Sequence, residues 1–205
     1  MKNPTKHAES LKQLHRKLLR DGKPDARTPI EPLDALVRGA MSYDVSDSRA
    51  DDVMKAISRE FVDLNELRVS TDLEIQELLG ARYPAIEERV GLITQCLNDI
   101  FEREHTMSLD RLKTISKREA RQFLRELPGM QPFVEAYVML YAFDGNAFPM
   151  DHEMLDYLRE EGVVEEETTK EEAQKFVENH IKGEDIYDLY CVLRRAAISG
   201  RKAKS

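Results

Sequence analysis

The chain has 205 residues, 41% of them apolar and 34% charged, with a formal net charge of −8. That length suits one large domain, or a domain with a subdomain, and is enough to bury a core without covalent staples. With only Cys96 and Cys191 present, a disulfide framework and a cysteine-rich metal cluster are excluded. No apolar run nears the roughly 20 residues of a membrane span, and the N-terminal stretch has no apolar signal segment. A reducing cytoplasm is the expected location, with no membrane partner.

Helical periodicity runs through nearly the whole chain. Leu11, Leu14, Leu18 and Leu19 make the stripe of a first helix, followed by a linker containing Pro24 and Pro29. A second helix begins near Pro32 and carries Leu33, Leu36, Val37, Ala40 and Met41. Ser46 is placed to cap a third, with Val53, Ile57 and Phe61 inward. Asp72 to Leu79 is short and stops at Gly80, a residue suited to the left-handed end of a helix. Tyr83 and Pro84 open a long helix with Val90, Ile93, Leu97, Ile100 and Phe101 inward. Ser116 and Glu119 have the spacing of a capping box, and their helix runs to Leu127 before Pro128 and Gly129 break it.

The next helix, from about Gln131 to Phe143, is apolar on every side and is expected at the centre of the fold. A turn at 144–146, a short helix from Asp151 to Glu161, a second box at Thr169 and Glu172, and a last helix over about 185–199 complete the chain. No alternating strand pattern and no internal repeat occur. The expected class is all-α, with about ten helices.

Charge is segregated. Residues 1–28, 111–125 and 194–205 each carry +5, whereas 151–172 carries −8. Three basic segments are candidates for phosphate binding, although for each alone a solvated helix surface is the simpler reading. His7, His15, His105 and His180 are scattered and make no metal set. No phosphate-binding P-loop, dinucleotide glycine motif or nucleophile elbow is present.

The informative stretch is residues 124–151, which reads as helix, tight hairpin, buried helix, turn, and then a carboxylate at a helix start. A hairpin between helices can turn backbone amides and a helix N-terminus towards an anion. Asp151 sits where the helix dipole favours its ionised form. Alone it is either a helix cap or a carboxylate able to steady a developing cation.

Three features in order resemble the helix–hairpin–helix DNA glycosylase superfamily, the group of endonuclease III. They are residues 33–53 with Asp44, Val45 and Ser46; the hairpin Leu127, Pro128, Gly129, Met130 and Gln131; and Phe148, Pro149, Met150 and Asp151 about twenty residues past the hairpin glycine.

The resemblance implies two helical subdomains with a helix–hairpin–helix and a cleft between them. Residues 1–29 would be a basic helix and linker, 30–200 the glycosylase domain and 201–205 a basic tail. Within that domain the N- and C-terminal helices would form one lobe and about 50–145 the other. It also implies excision of a flipped, damaged base from double-stranded DNA by a monomer. Asp151 would be the catalytic carboxylate, residues 127–131 would hold phosphate, Met41 would fill the gap in the stack, and Phe133, Tyr43 and His152 would line the pocket. Tyr137 and Tyr141, at helical spacing, read as core residues with hydroxyls tied to backbone.

The chain departs from the family in several places. Phe133 stands where bifunctional members carry an imine-forming lysine, so lyase chemistry is not expected. Gln131 replaces the second hairpin glycine, and Pro132 after it removes one amide. Met41 replaces a glutamine. The four-cysteine iron–sulfur loop is absent, so no cofactor is expected. A monofunctional, water-using glycosylase is the first reading. A relative that binds DNA without chemistry and a helical scaffold for protein partners are the alternatives, so whether the chain is an enzyme stays open.

Overall fold

Pro32, Leu36 and Ala40 show how the sequence builds the fold: proline starts the helix at its first turn, and residues four apart then share one buried face. The structure, a computed structural model, describes residues 4–204, with side chains for 5–200. Among the described residues there are eleven α-helices, one 3-10 turn and no strand. No described helix is long and apolar enough to cross a membrane.

The chain divides into two units. The first runs Ile30–Phe143. It holds α2 (Pro32–Ser42), α3 (Asp47–Glu60), α4 (Leu64–Val69), α5 (Asp72–Leu79), α6 (Ile86–Glu104), α7 (Lys117–Arg125) and α8 (Pro132–Ala142), with the 3-10 turn at Asp110–Thr114. Its centre is the contact of α2 with α8. Residues 133–140 of α8 are all buried, as an all-round apolar helix requires. Gly39 lets α2 lie directly on the Tyr137 ring: a Cβ there would stand 3.2 Å from Tyr137 Cβ and Cδ1.

The second unit joins the two ends of the chain, up to Pro29 and from Asp144. It holds α1 (Pro4–Asp21), α9 (His152–Glu160), α10 (Lys170–His180) and α11 (Gly183–Lys204). Leu11, Leu14 and Leu18 are buried, and α1 packs on α11. The basic face of α1 meets the acidic segment: Lys17 pairs with Glu161 at 3.0 Å, and the His7 ring lies 3.7 Å from Glu165.

The structure redraws several expected boundaries. The helix of residues 1–29 joins the C-terminal helices instead of standing apart, because its leucine stripe needs α11 to cover it. The other unit starts at Ile30, well before residue 50, because α2 packs on α8. Helix α4 adds to the expected set; its start is fixed by the Asp63 carboxylate accepting from the Asn65 and Glu66 amides. Phe61 ends α3 and is only half-buried. Phe101 is 37% exposed and lies under the Arg68 guanidinium at 4.2 Å. Both aromatics match the helical period yet face the rim. Lys2 and the side chains of the expected basic tail, 201–205, lie outside the described residues.

Candidate functional site

The hairpin is built by its flanking helices. Ser116 and Glu119 form the expected capping box on α7. After α7 the Leu127 side chain is buried, and the Met130 amide closes the turn on the Leu127 carbonyl at 3.2 Å. Gly129 takes φ +66°, a conformation that costs an L-residue strain, and nothing lies within 4 Å of where its Cβ would be. Gln131 keeps a negative φ of −93°, so the missing second glycine does not distort the turn. Pro132 takes the first position of α8. Gly129 is exposed, while Pro128, Met130 and Gln131 are half-buried, so the tip reaches solvent.

Buried polar groups brace this turn. Glu135, only 2% exposed, accepts from Arg121 Nε on one oxygen and from Arg125 Nε at 3.1 Å on the other, linking α7 to α8. The Cys96 thiol of α6 donates to the Pro128 carbonyl at 3.3 Å. These contacts also alter the charge reading of 111–125. Arg111 pairs with Glu104, Lys113 with Glu31 and Asp110, and Arg121 and Arg125 with Glu135, so much of that segment's charge is neutralised locally.

In the same unit, one arginine gathers backbone carbonyls from the end of α2, the loop after it and the segment before α6. The buried Arg89 guanidinium donates to the carbonyls of Ala40 at 2.5 Å, Tyr43 at 2.6 Å and Pro84 at 2.7 Å. Burial lowers its pKa, opposed by the nearby Tyr83, Asp44 and Tyr43 groups. Tyr43 is half-buried and packs on Phe133 at 5.3 Å between ring centres. Phe133, Tyr137 and Tyr141 continue as a stack along α8, at 6.1 and 4.4 Å. The Tyr137 hydroxyl accepts from Arg38 Nε at 3.0 Å, a side-chain partner.

Met41 is 0% exposed and packed in the core. A side chain so placed has no surface from which to enter a base stack, so the wedge expected of Met41 is corrected: it is a packing residue. Phe133 is likewise buried, whereas Tyr43 is half-buried.

Asp151 belongs to the other unit. It caps α9: Oδ1 accepts from the Met154 amide at 2.8 Å. Oδ2 accepts from Arg194 Nη1 of α11 at 3.0 Å. Both residues are 3% exposed. Arg194 was counted with the basic C-terminal segment; the structure puts its charge inside, against Asp151, while Arg195 pairs with Asp25 at 2.9 Å. His152 is exposed on the first turn of α9.

The residues missed from the sequence, Glu135, Arg89 and Arg194, share one signal. That signal is burial of a charge, which survives only with partners; Glu135 shows it in sequence as the lone charge of an apolar stretch, whereas Arg89 follows Glu87 and Glu88 and Arg194 precedes Arg195. Among the described residues no cluster of His, Cys, Asp or Glu is suited to hold a metal ion.

No family model matches the chain, and no curated protein matches its sequence. Solved structures do match. One is endonuclease III trapped as a covalent intermediate with DNA, with TM-score 0.71 and 14% identity over 94% of this chain and 85% of that one. A second is the Clostridium acetobutylicum 8-oxoguanine glycosylase/lyase in complex with double-stranded DNA, with TM-score 0.74 and 15% identity over 97% and 71%. A third is the H. pylori 3-methyladenine DNA glycosylase bound to 1,N6-ethenoadenine, with TM-score 0.68 and 14% identity over 97% and 98%.

The fold is that of the helix–hairpin–helix DNA glycosylases. This chain builds the glycosylase fold with a hairpin closed by one positive-φ glycine, a phenylalanine at 133 and a carboxylate at 151.

Proposed function

We propose that this protein is a monofunctional DNA glycosylase that hydrolyses the N-glycosidic bond of a damaged base in double-stranded DNA, acting as a monomer. One observation carries the reading: a solvent-facing hairpin and a helix-capping carboxylate occur together in a chain with the fold of DNA-bound glycosylases. The hairpin would hold a backbone phosphate through its amides and the α8 N-terminus. With the base flipped out, Asp151 would face the sugar as positive charge develops on it. Water supplies the new bond to the anomeric carbon, the bond to the base nitrogen breaks, and a proton passes to the leaving base. Phe133 has no amine, so no imine forms and the strand stays uncut. Tyr43, half-buried, is the side chain proposed to stack on the base.

A second reading, DNA binding without chemistry, is favoured by the burial of Asp151, which is 3% exposed.

Single-turnover assays on duplexes bearing uracil, hypoxanthine, an alkylated purine, an oxidised purine, an oxidised pyrimidine or a mismatched adenine separate the two. Breaks that appear only after alkali, and are lost in Asp151→Asn, are expected of the glycosylase. Duplex binding with no product on any lesion, with affinity falling steeply as salt rises, would replace it with the second reading. No duplex affinity at low salt would reject both and leave the protein-binding scaffold.

A further inference from the structure

We propose that Arg194 of α11 is the positioning residue for Asp151: it pins the second carboxylate oxygen and keeps the group an anion inside the fold. This rests on the glycosylase reading above, and it concerns a residue on the last helix that the resemblance did not assign.

The cap on α9 does not by itself need an arginine. Oδ1 of Asp151 already satisfies the Met154 amide at 2.8 Å, and a threonine or asparagine would cap as well. The capping side chains of α4, α5, α7 and α10 are Asp63, Thr71, Ser116 and Thr169; each is exposed, and none is bonded to an arginine. Asp151 alone among these caps is buried, and its second oxygen meets a guanidinium that is itself 3% exposed, at 3.0 Å. Arg194 is held in turn over the Tyr190 ring, 5.9 Å from its centre. Burial disfavours a carboxylate anion and an adjoining cation favours it, so the pair balances the two.

On α9, His152 is exposed and Glu153 is half-buried. On α10, Glu178 accepts from the Phe148 amide and from Gln174. A carboxylate fixed at both oxygens keeps one orientation, which is what a group that must meet a developing charge requires.

The test pairs two readouts on the full chain. Single-turnover excision is measured for wild type, Arg194→Met and Arg194→Lys, alongside carboxyl-carbon NMR titration of Asp151 in each. Arg194→Met should slow excision about 100-fold, the loss typical when a reacting group shifts by about 1 Å, with duplex affinity unchanged. Arg194→Lys should recover part of the rate, and Asp151 should titrate at higher pH in both variants. A folded Arg194→Met that cleaves at the wild-type rate, or an Asp151 titration that neither variant moves, would overturn the assignment. If Arg194→Met does not fold, Arg194→Lys decides alone: a reduced rate with a shifted titration supports it, and wild-type values reject it. If wild type cleaves no duplex, the glycosylase reading fails separately, and the titration still decides whether Arg194 sets the charge of Asp151.

Discussion

Glu135 on α8 and Arg121 on α7 are joined across the hairpin by a hydrogen-bonded ion pair, with Arg125 on the second carboxylate oxygen at 3.1 Å. The carboxylate is the one charge in an otherwise apolar helix. Glu135→Gln keeps the shape but removes the anion that both guanidinium groups bond. Arg125 is half in water and regains solvation cheaply, so Arg121 dominates the loss. Urea unfolding should show a loss of about 2–3 kcal/mol. An unchanged midpoint would mean that the pair does not hold the hairpin.

Gly39 tests the α2–α8 contact. An alanine there would gain about 1 kcal/mol of helix propensity. It would also place a methyl 3.2 Å from the Tyr137 side chain, which is stacked between Phe133 and Tyr141 and bonded to Arg38. A ring held on three sides does not yield, and overpacking of this kind costs about 1–3 kcal/mol. Gly39→Ala should therefore lower the melting temperature despite the better helix former.

Gly129 separates backbone strain from space. Its Cβ would meet nothing, so Gly129→Ala pays only for φ +66°, about 1–2 kcal/mol. The fold should survive while duplex affinity falls, and Gly129→Asn, which tolerates that conformation better, should lose less. Fluorescence anisotropy with a labelled duplex, read beside a melting curve, checks both.

His15 on α1 is buried, and its Nε2 has no hydrogen-bond partner within the protein. Burial lowers its pKa below the ordinary 6.5, with Asp185 and Asp188 opposing. Above 6.5 the imidazole is neutral whether the chain is folded or not. Below it the unfolded chain takes up the proton first, so stability drains away until the lowered folded value is passed. Wild type should lose stability as the pH falls through 6.5, and His15→Leu should flatten that decline while other groups still titrate.

The thiols report on burial. Desolvation pushes Cys96 up to about 12, with Asp99 adding to the shift, and raises Cys191 as well. A thiolate-selective disulfide reagent near pH 8 should label neither cysteine in the native protein and both in urea. Fast native labelling of Cys96 would contradict its bond to the Pro128 carbonyl beneath the hairpin.

What the sequence disclosed followed from periodicity and turn chemistry. The all-round apolar stretch 133–140 marked the centre, and the three capping boxes at Thr71, Ser116 and Thr169 formed, two of them where expected. The hairpin was legible because proline and glycine leave few backbone choices. Periodicity could not tell Phe101 at the rim from Ile100 in the core, since adjacent residues on a helix edge differ only in what packs against them. Met41 was misread because a resemblance gives a position and not its exposure. Arg194 lies 43 residues from Asp151, and no local pattern joins them.

The unit holding Asp151 is stitched from both ends of the chain, and this bears on how it assembles. The stretch Ile30–Phe143 is continuous, and its two ends close on each other where α2 meets α8. The leucine stripe of α1 lies outside that stretch and stays bare until α11 covers it. Its docking must close a loop spanning most of the chain, which carries an entropic cost and delays it. The same late event brings Arg194 to Asp151, so the buried pair is among the last contacts to form. A chain stalled before α11 would hold an uncovered leucine face and a carboxylate without its cation.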